Sequence, residues 1–189
     1  MSFFKMLFCF APWIFFLIIA HGSMFRLKLG IIVAAVLSVV MAVKRLHRGA
    51  IMWASILFFF YAIVAVVFLN YMWAVRHMGV LANGALAVSV WAGIALKRPF
   101  TLEYAREHTD PSLWEQPSFL RTNYLLTTIW AVVFSINAFL AWQRSIQPAM
   151  PSWAYETISY SLLVSAMFVS IWYPQYLKKR REAHIEQDD

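Results

Sequence analysis

Glu103, Arg106, Glu107, His108 and Asp110 form the one group ahead of the C-terminal tail that mixes carboxylates, a guanidinium and an imidazole. Such groups could move protons on and off a lipid substrate at the level of its head group. No spacing among them specifies a reaction. The histidines His21, His47, His77, His108 and His184 are scattered, without the His-x-x-x-His or His-Glu-x-x-His spacing that places two ligands on one helical face. His21 and His77 would share one side of a membrane, but no other residue type builds a haem or metal pocket around them. Cys9 is the single cysteine, which excludes an intrachain disulfide and a CxxC redox pair. The expectation is a protein without cofactor or catalytic residues, with a lipid-modifying enzyme as the weakest alternative.

The remaining polar candidates sit in apolar surroundings. Asn70, Asn83, Asn123 and Asn137 can bond across helices or line a solute path. Ala85, Ser89 and Gly93, and likewise Thr157, Ser161 and Ser165, recur every four residues and make two faces narrow enough for another helix to approach closely. Glu156, soon after Ser152, suits the positive end of a helix dipole. A proton-coupled transporter needs an ionisable group deeper in its bundle, and no apolar segment carries one near its centre. A channel signature, a charged ring or a carbonyl loop, is also missing.

The elements that carry these residues follow from composition. Hydrophobic residues make up 62% of the 189 and charged residues 13%, far from the balance of a soluble domain. Six apolar segments, about 6–20, 29–43, 50–75, 79–96, 125–142 and 153–173, read as helices, several of them long enough to cross a hydrocarbon core of about 30 Å. No strand alternation supports a barrel. The expected fold is all-α: a single polytopic transmembrane bundle over 1–189, with six spans, or five plus a half-embedded N-terminal segment.

Six crossings put twelve basic residues on one side, from Lys5 and Lys44 to Arg181, and Arg26, Lys28, Arg76 and Arg144 on the other. Five crossings move only Lys5. Either way the positive-inside rule makes residues 97–124 and the charged tail 178–189 cytoplasmic. The net charge of +7 is thus a product of topology and does not imply nucleic-acid binding. Lys178, Lys179, Arg180 and Arg181 read as a stop-transfer flank that can also attract anionic lipid. Lys5, an apolar stretch and Ala20-His21-Gly22 imitate a signal peptide, but Pro12 interrupts the segment.

Residues 97–124 are the one long polar stretch between apolar segments, and four of the nine acidic residues fall there. Pro99 ends the preceding span, Thr101 is expected to cap a short helix, and Asp110-Pro111 starts another turn, with Ser112 and Glu115 at capping-box spacing. Short interfacial helices are therefore expected. Arg106, Glu107, Trp114 and Glu115 are their candidate partner-docking residues.

Lys97-Arg98-Pro99-Phe100 after a span, then Gln116-Pro117, Asn123, Trp130 and Asn137, resembles the intracellular septation protein A family of small bacterial inner-membrane proteins. The early Pro12, a second span closed by basic residues and a final span with an aromatic and basic exit extend the resemblance along most of the chain. It implies a non-enzymatic inner-membrane protein that maintains the envelope or supports division through contacts with elongation and septation proteins, in a lipid bilayer and with a second copy among its conceivable partners. No catalytic residues come with that family. The alternative is a small transporter or channel with a path lined by Asn and Ser.

Overall fold

The computed structural model describes residues 10–44, 49–106 and 109–188, with side chains described through Leu177 and at Arg180. Lys5, Cys9, Arg45, His47, Arg48, Glu107 and His108 lie outside the described residues, as do the side chains of Lys178, Lys179, Arg181 and His184. Eight α-helices occur among the described residues: α1 (Ala11–Ile19), α2 (Met24–Val43), α3 (Gly49–Ala62), α4 (Met72–Arg76), α5 (Met78–Ala95), α6 (Phe100–Arg106), α7 (Pro117–Ile146) and α8 (Ser152–Asp188). A π-helical segment, Ile63–Phe68, continues α3.

Five of these elements are long and apolar enough to cross a membrane: Met24–Val43, Gly49–Phe68, Met78–Ala95, Pro117–Ile146 and Ser152–Leu177. The chain is a multi-pass membrane protein by this composition. Five spans occur among the described residues, and the described part of the first apolar segment is the nine-residue α1. At 1.5 Å per residue that helix covers roughly 14 Å, less than half a hydrocarbon core. Pro12, expected to break this segment in the middle, lies in the first turn of α1, where a missing N–H leaves no bond unmade.

Two boundaries differ from the apolar runs. Helix α2 starts at Met24, not near residue 29, because Ser23 caps it by accepting from the Arg26 N–H at 3.2 Å. Counting apolar residues alone cuts off its charged first turns. The run 50–75 is broken near its end: the Leu69 N–H reaches back to Val64 O and the Tyr71 N–H to Ala65 O, with Asn70 between them at φ +49°. Asn adopts this left-handed conformation more readily than most residues. Asn70 is therefore an exposed turn residue at a bundle end, where its Oδ1 accepts from Lys28 Nζ of α2 at 2.5 Å.

Helices α5 and α7 run antiparallel and pack closely, with Ala141 against Gly79 and the Trp91 indole donating to Ser135 Oγ at 3.2 Å. Helix α1 folds back on α2 and wedges Phe10, Trp13 and Phe16 into the core. Phe10 stacks on Trp130 at 5.0 Å between centroids, and Trp13 stacks on Phe58 at 5.0 Å. Both buried indoles need an acceptor. Trp13 Nε1 donates to Ser55 Oγ at 2.7 Å and Trp130 Nε1 to Ser170 Oγ at 3.0 Å, tying α1 to α3 and α7 to α8.

The described part of the polar stretch folds as a cap on one bundle end. Helix α5 stops in a reciprocal turn, Arg98 N–H to Gly93 O at 2.8 Å and Lys97 N–H to Ile94 O at 3.0 Å, with Lys97 left-handed at φ +57°. Gly93 permits this, since a Cβ there would stand 3.0 Å from the Arg98 carbonyl oxygen. Thr101, expected as a cap, lies inside α6 and is buried instead: its Oγ1 donates to Asn123 O at 2.8 Å and lies 2.7 Å from Thr127 Oγ1. Asp110 caps the 3-10 turn Pro111–Leu113 as the sequence predicts, accepting from the Ser112 N–H at 2.9 Å, which holds its carboxyl below the ordinary value. Pro117 opens α7. The tail, read from sequence as a charged segment, continues α8 through Asp188, with Pro174 inside the helix.

Candidate functional site

The expected docking residues fall into two kinds. The Arg106 guanidinium lies 5.4 Å from the centre of the Trp114 ring, and Trp114 Nε1 donates to Thr109 O at 3.0 Å. These two close the cap on itself, a cation–π contact of roughly 0.5–1 kcal/mol at an exposed site. Glu115 is exposed beside them. Glu107 lies outside the described residues.

Glu103 points the other way, toward the start of α3. Its Oε2 is buried without a hydrogen-bond partner, against Gly49 at φ +73°, and a Cβ on Gly49 would overlap the Glu103 carboxylate. Burial pushes the Glu103 carboxyl above its ordinary value, opposed by the charges of Arg98 and Arg106. Arg98 and Glu103 also close one end of an open apolar groove of about 800 Å³ between α3 and α5, into which Ser89 and Gly93 face.

The four asparagines separate clearly. Asn123 is buried, its side-chain Nδ2 donating to Phe119 O at 2.9 Å and its main-chain carbonyl accepting from Thr101 Oγ1. Asn83 is half-buried, with Nδ2 committed to Gly79 O at 2.9 Å. Asn137 is 2% exposed, and neither its Oδ1 nor its Nδ2 has a partner. Leaving such a buried group unpaired costs about 1–3 kcal/mol.

Asn83 and Asn137 line a polar pocket of about 510 Å³ at the bundle end opposite the cap. Its other polar walls come from Arg76 at the end of α4, Arg144 on α7, and Glu156, Ser159 and Tyr160 on α8. Arg144 Nη1 donates to Glu156 Oε1 at 3.1 Å, both side chains being partly exposed. Glu156 thus serves as an ion-pair partner between two helices, whatever its dipole contributes. Tyr155 is anchored by the Ala149 N–H, which donates to its hydroxyl at 2.9 Å. Exposure falls from the rim arginines to Asn137 at the floor, about 10 Å further along α7 at 1.5 Å per residue.

An apolar cavity of about 160 Å³ adjoins the floor, sharing Leu17, Asn83 and Leu163 with the pocket. Phe10, Trp13, Trp130 and Phe134 line it, and Asn83 is its one side-chain amide. The polar pocket therefore adjoins an aromatic-lined apolar cavity at its floor. No group of three His, Cys, Asp or Glu that could hold a metal ion occurs among the described residues. His77 stacks on Trp73 at 4.6 Å, with Nδ1 2.9 Å from Trp73 O.

Comparison with family models, with curated proteins and with solved structures gives no match. The pocket must be read from its own chemistry. Asn83 and Asn137 stand out in the sequence, whereas Arg76 and Arg144 read there only as topology-setting charges and Glu156 as a helix-dipole partner. A usable signal was present: Arg76 precedes Asn83 by the same interval as Asn137 precedes Arg144, in reversed order. On two antiparallel neighbours that pattern brings both arginines to one end and both amides to one depth.

Proposed function

We propose that this is a non-enzymatic protein of the bacterial inner membrane that supports envelope maintenance or division through contacts with other membrane proteins. Residues 97–124 and the C-terminus are assigned to the cytoplasm on the distribution of basic residues. The resemblance to the septation protein A family supplies the process, and the exposed face of α8 supplies the means.

That face is the observation that carries the reading. Only 17% of the span window in α8 is buried, against 44% in the α3 span. Thr157, Ser161 and Ser165, expected from their spacing to contact another helix, are all exposed, as are Trp153, Phe168 and Trp172. Lipid tails are as apolar as leucine, so small hydroxyl residues favour a helix neighbour over lipid by close packing and interhelical bonds. Within this chain that neighbour is missing among the described residues, so a second chain supplies it.

A photo-crosslinker placed at Ser161 in native membranes is expected to capture a protein of the elongation or septation machinery. Ser165→Trp should reduce capture while leaving the bundle folded. Capture of lipid alone at Thr157, Ser161 and Ser165 would sink the proposal. The transport alternative has the Asn83–Asn137 pocket in its favour and the apolar, aromatic-lined cavity at its floor against it. Solute flux into liposomes holding only this protein, lost in Asn83→Leu, would establish it instead.

A further inference from the structure

We propose that the pocket beneath Arg76 and Arg144 binds a hydroxyl-bearing phosphate ester, the chemistry shared by a polyol phosphate in solution and the head group of an anionic phospholipid. The floor sets the first requirement. Asn137 presents a carbonyl oxygen and an amide nitrogen, both sequestered and both unpartnered. Its complement must accept and donate, and a hydroxyl does both through one oxygen. An apolar ligand would leave the amide as it is.

The rim sets the second requirement. Two guanidinium groups face one carboxylate there, so one positive charge is left over. The ion pair occupies Nη1 of Arg144, which leaves its remaining N–H groups and those of Arg76 for an anion. Planar guanidinium donors match phosphate oxygens in pairs. A metal cation fits poorly, since the surplus is positive and the pocket offers a single carboxylate. Both arginines lie within a few residues of a span end, Arg76 just before Met78 and Arg144 just before Ile146. That is the level at which a bilayer carries its phosphates. A volume of about 510 Å³ falls in the range of small-molecule sites.

The test uses the purified full-length protein in phosphatidylcholine nanodiscs, titrated with glycerol 3-phosphate by calorimetry. In parallel, nanodiscs containing phosphatidylglycerol are examined by native mass spectrometry for retained lipid. Saturable binding is expected in at least one arm, weakened at least tenfold by Asn137→Leu and by Arg76→Gln. Retention of phosphatidylglycerol alone identifies a lipid site, and binding of glycerol 3-phosphate alone a solute site. Arg76 is exposed, so its substitution does not threaten the core, and its result decides the matter even if Asn137→Leu fails to fold. No saturable binding in either arm, or unchanged binding in Arg76→Gln, would show that water alone satisfies Asn137 and overturn the assignment.

Discussion

The two ends of the bundle each bury a polar atom without a partner, but they surround it differently. At the cap, Glu103 lies against the backbone of Gly49, with Arg98 and Arg106 close enough to offset part of its desolvation. At the other end, Asn137 is buried in the wall of an open pocket whose arginines stand a helical turn or more away. Glu103 lies against Gly49 at the end of a groove that is otherwise almost wholly apolar, and so braces two elements of its own chain. Asn137 borders space that it does not fill. An unpaired buried group therefore points to a polar ligand only where other polar groups line the same space, and the two ends can be told apart by what happens when each group is removed.

The largest effect is expected at Gly49→Ala. A left-handed alanine is strained by about 1–2 kcal/mol, and its Cβ would also displace the Glu103 carboxylate, so a loss of at least that size is expected in chemical unfolding of the purified protein. Adding Glu103→Ala should return the steric part and leave the conformational part. Full additivity of the two substitutions would remove the bracing role from Glu103.

Asn137→Leu should act in the opposite direction. Without ligand it relieves an unpaired amide and is expected to stabilise the protein by about 1 kcal/mol in the same assay. A destabilisation of similar size would mean that Asn137 is held by partners, as Asn123 is, and would erase the contrast between the ends.

The smallest effect is the pH dependence at the cap. A carboxyl whose folded-state pKa is raised takes up more protons folded than unfolded, so its contribution weakens as pH rises above 4.5, the ordinary value for this side chain. Wild-type stability should decline through that window, and Glu103→Gln should flatten the decline. Partial exposure and the two arginines keep the slope shallow. An identical slope in Glu103→Gln would place the titration elsewhere.

Hydropathy alone made the long helices legible, because a bilayer demands apolar length and little else. It was blind where the backbone decides. The break at Asn70 lies in an unbroken apolar run, and the start of α2 is hidden behind Arg26 and Lys28. Thr101 looked like a cap because its type and position permit one, yet burial against α7 gave it better partners in Asn123 and Thr127. The asparagines could be singled out one at a time as rare polar groups in apolar segments. Which of them was satisfied depended on which helices became neighbours, and only the mirrored arginine–asparagine spacing carried a trace of that.

Helix α1 has a consequence for how the protein is made. Phe10 finds its stacking partner in Trp130, on a helix synthesised roughly 120 residues later. At about 5–20 residues per second, the first element of the chain waits on the order of ten seconds for the surface that receives it. During that interval Trp13 and Phe16 have α2 and α3 beside them, but the Trp130 side of the wedge is open to lipid or to an insertion factor. The bundle closes from its fourth long helix backward onto α1, so a ribosome stalled before Trp130 should leave α1 accessible to a protease that the finished protein resists.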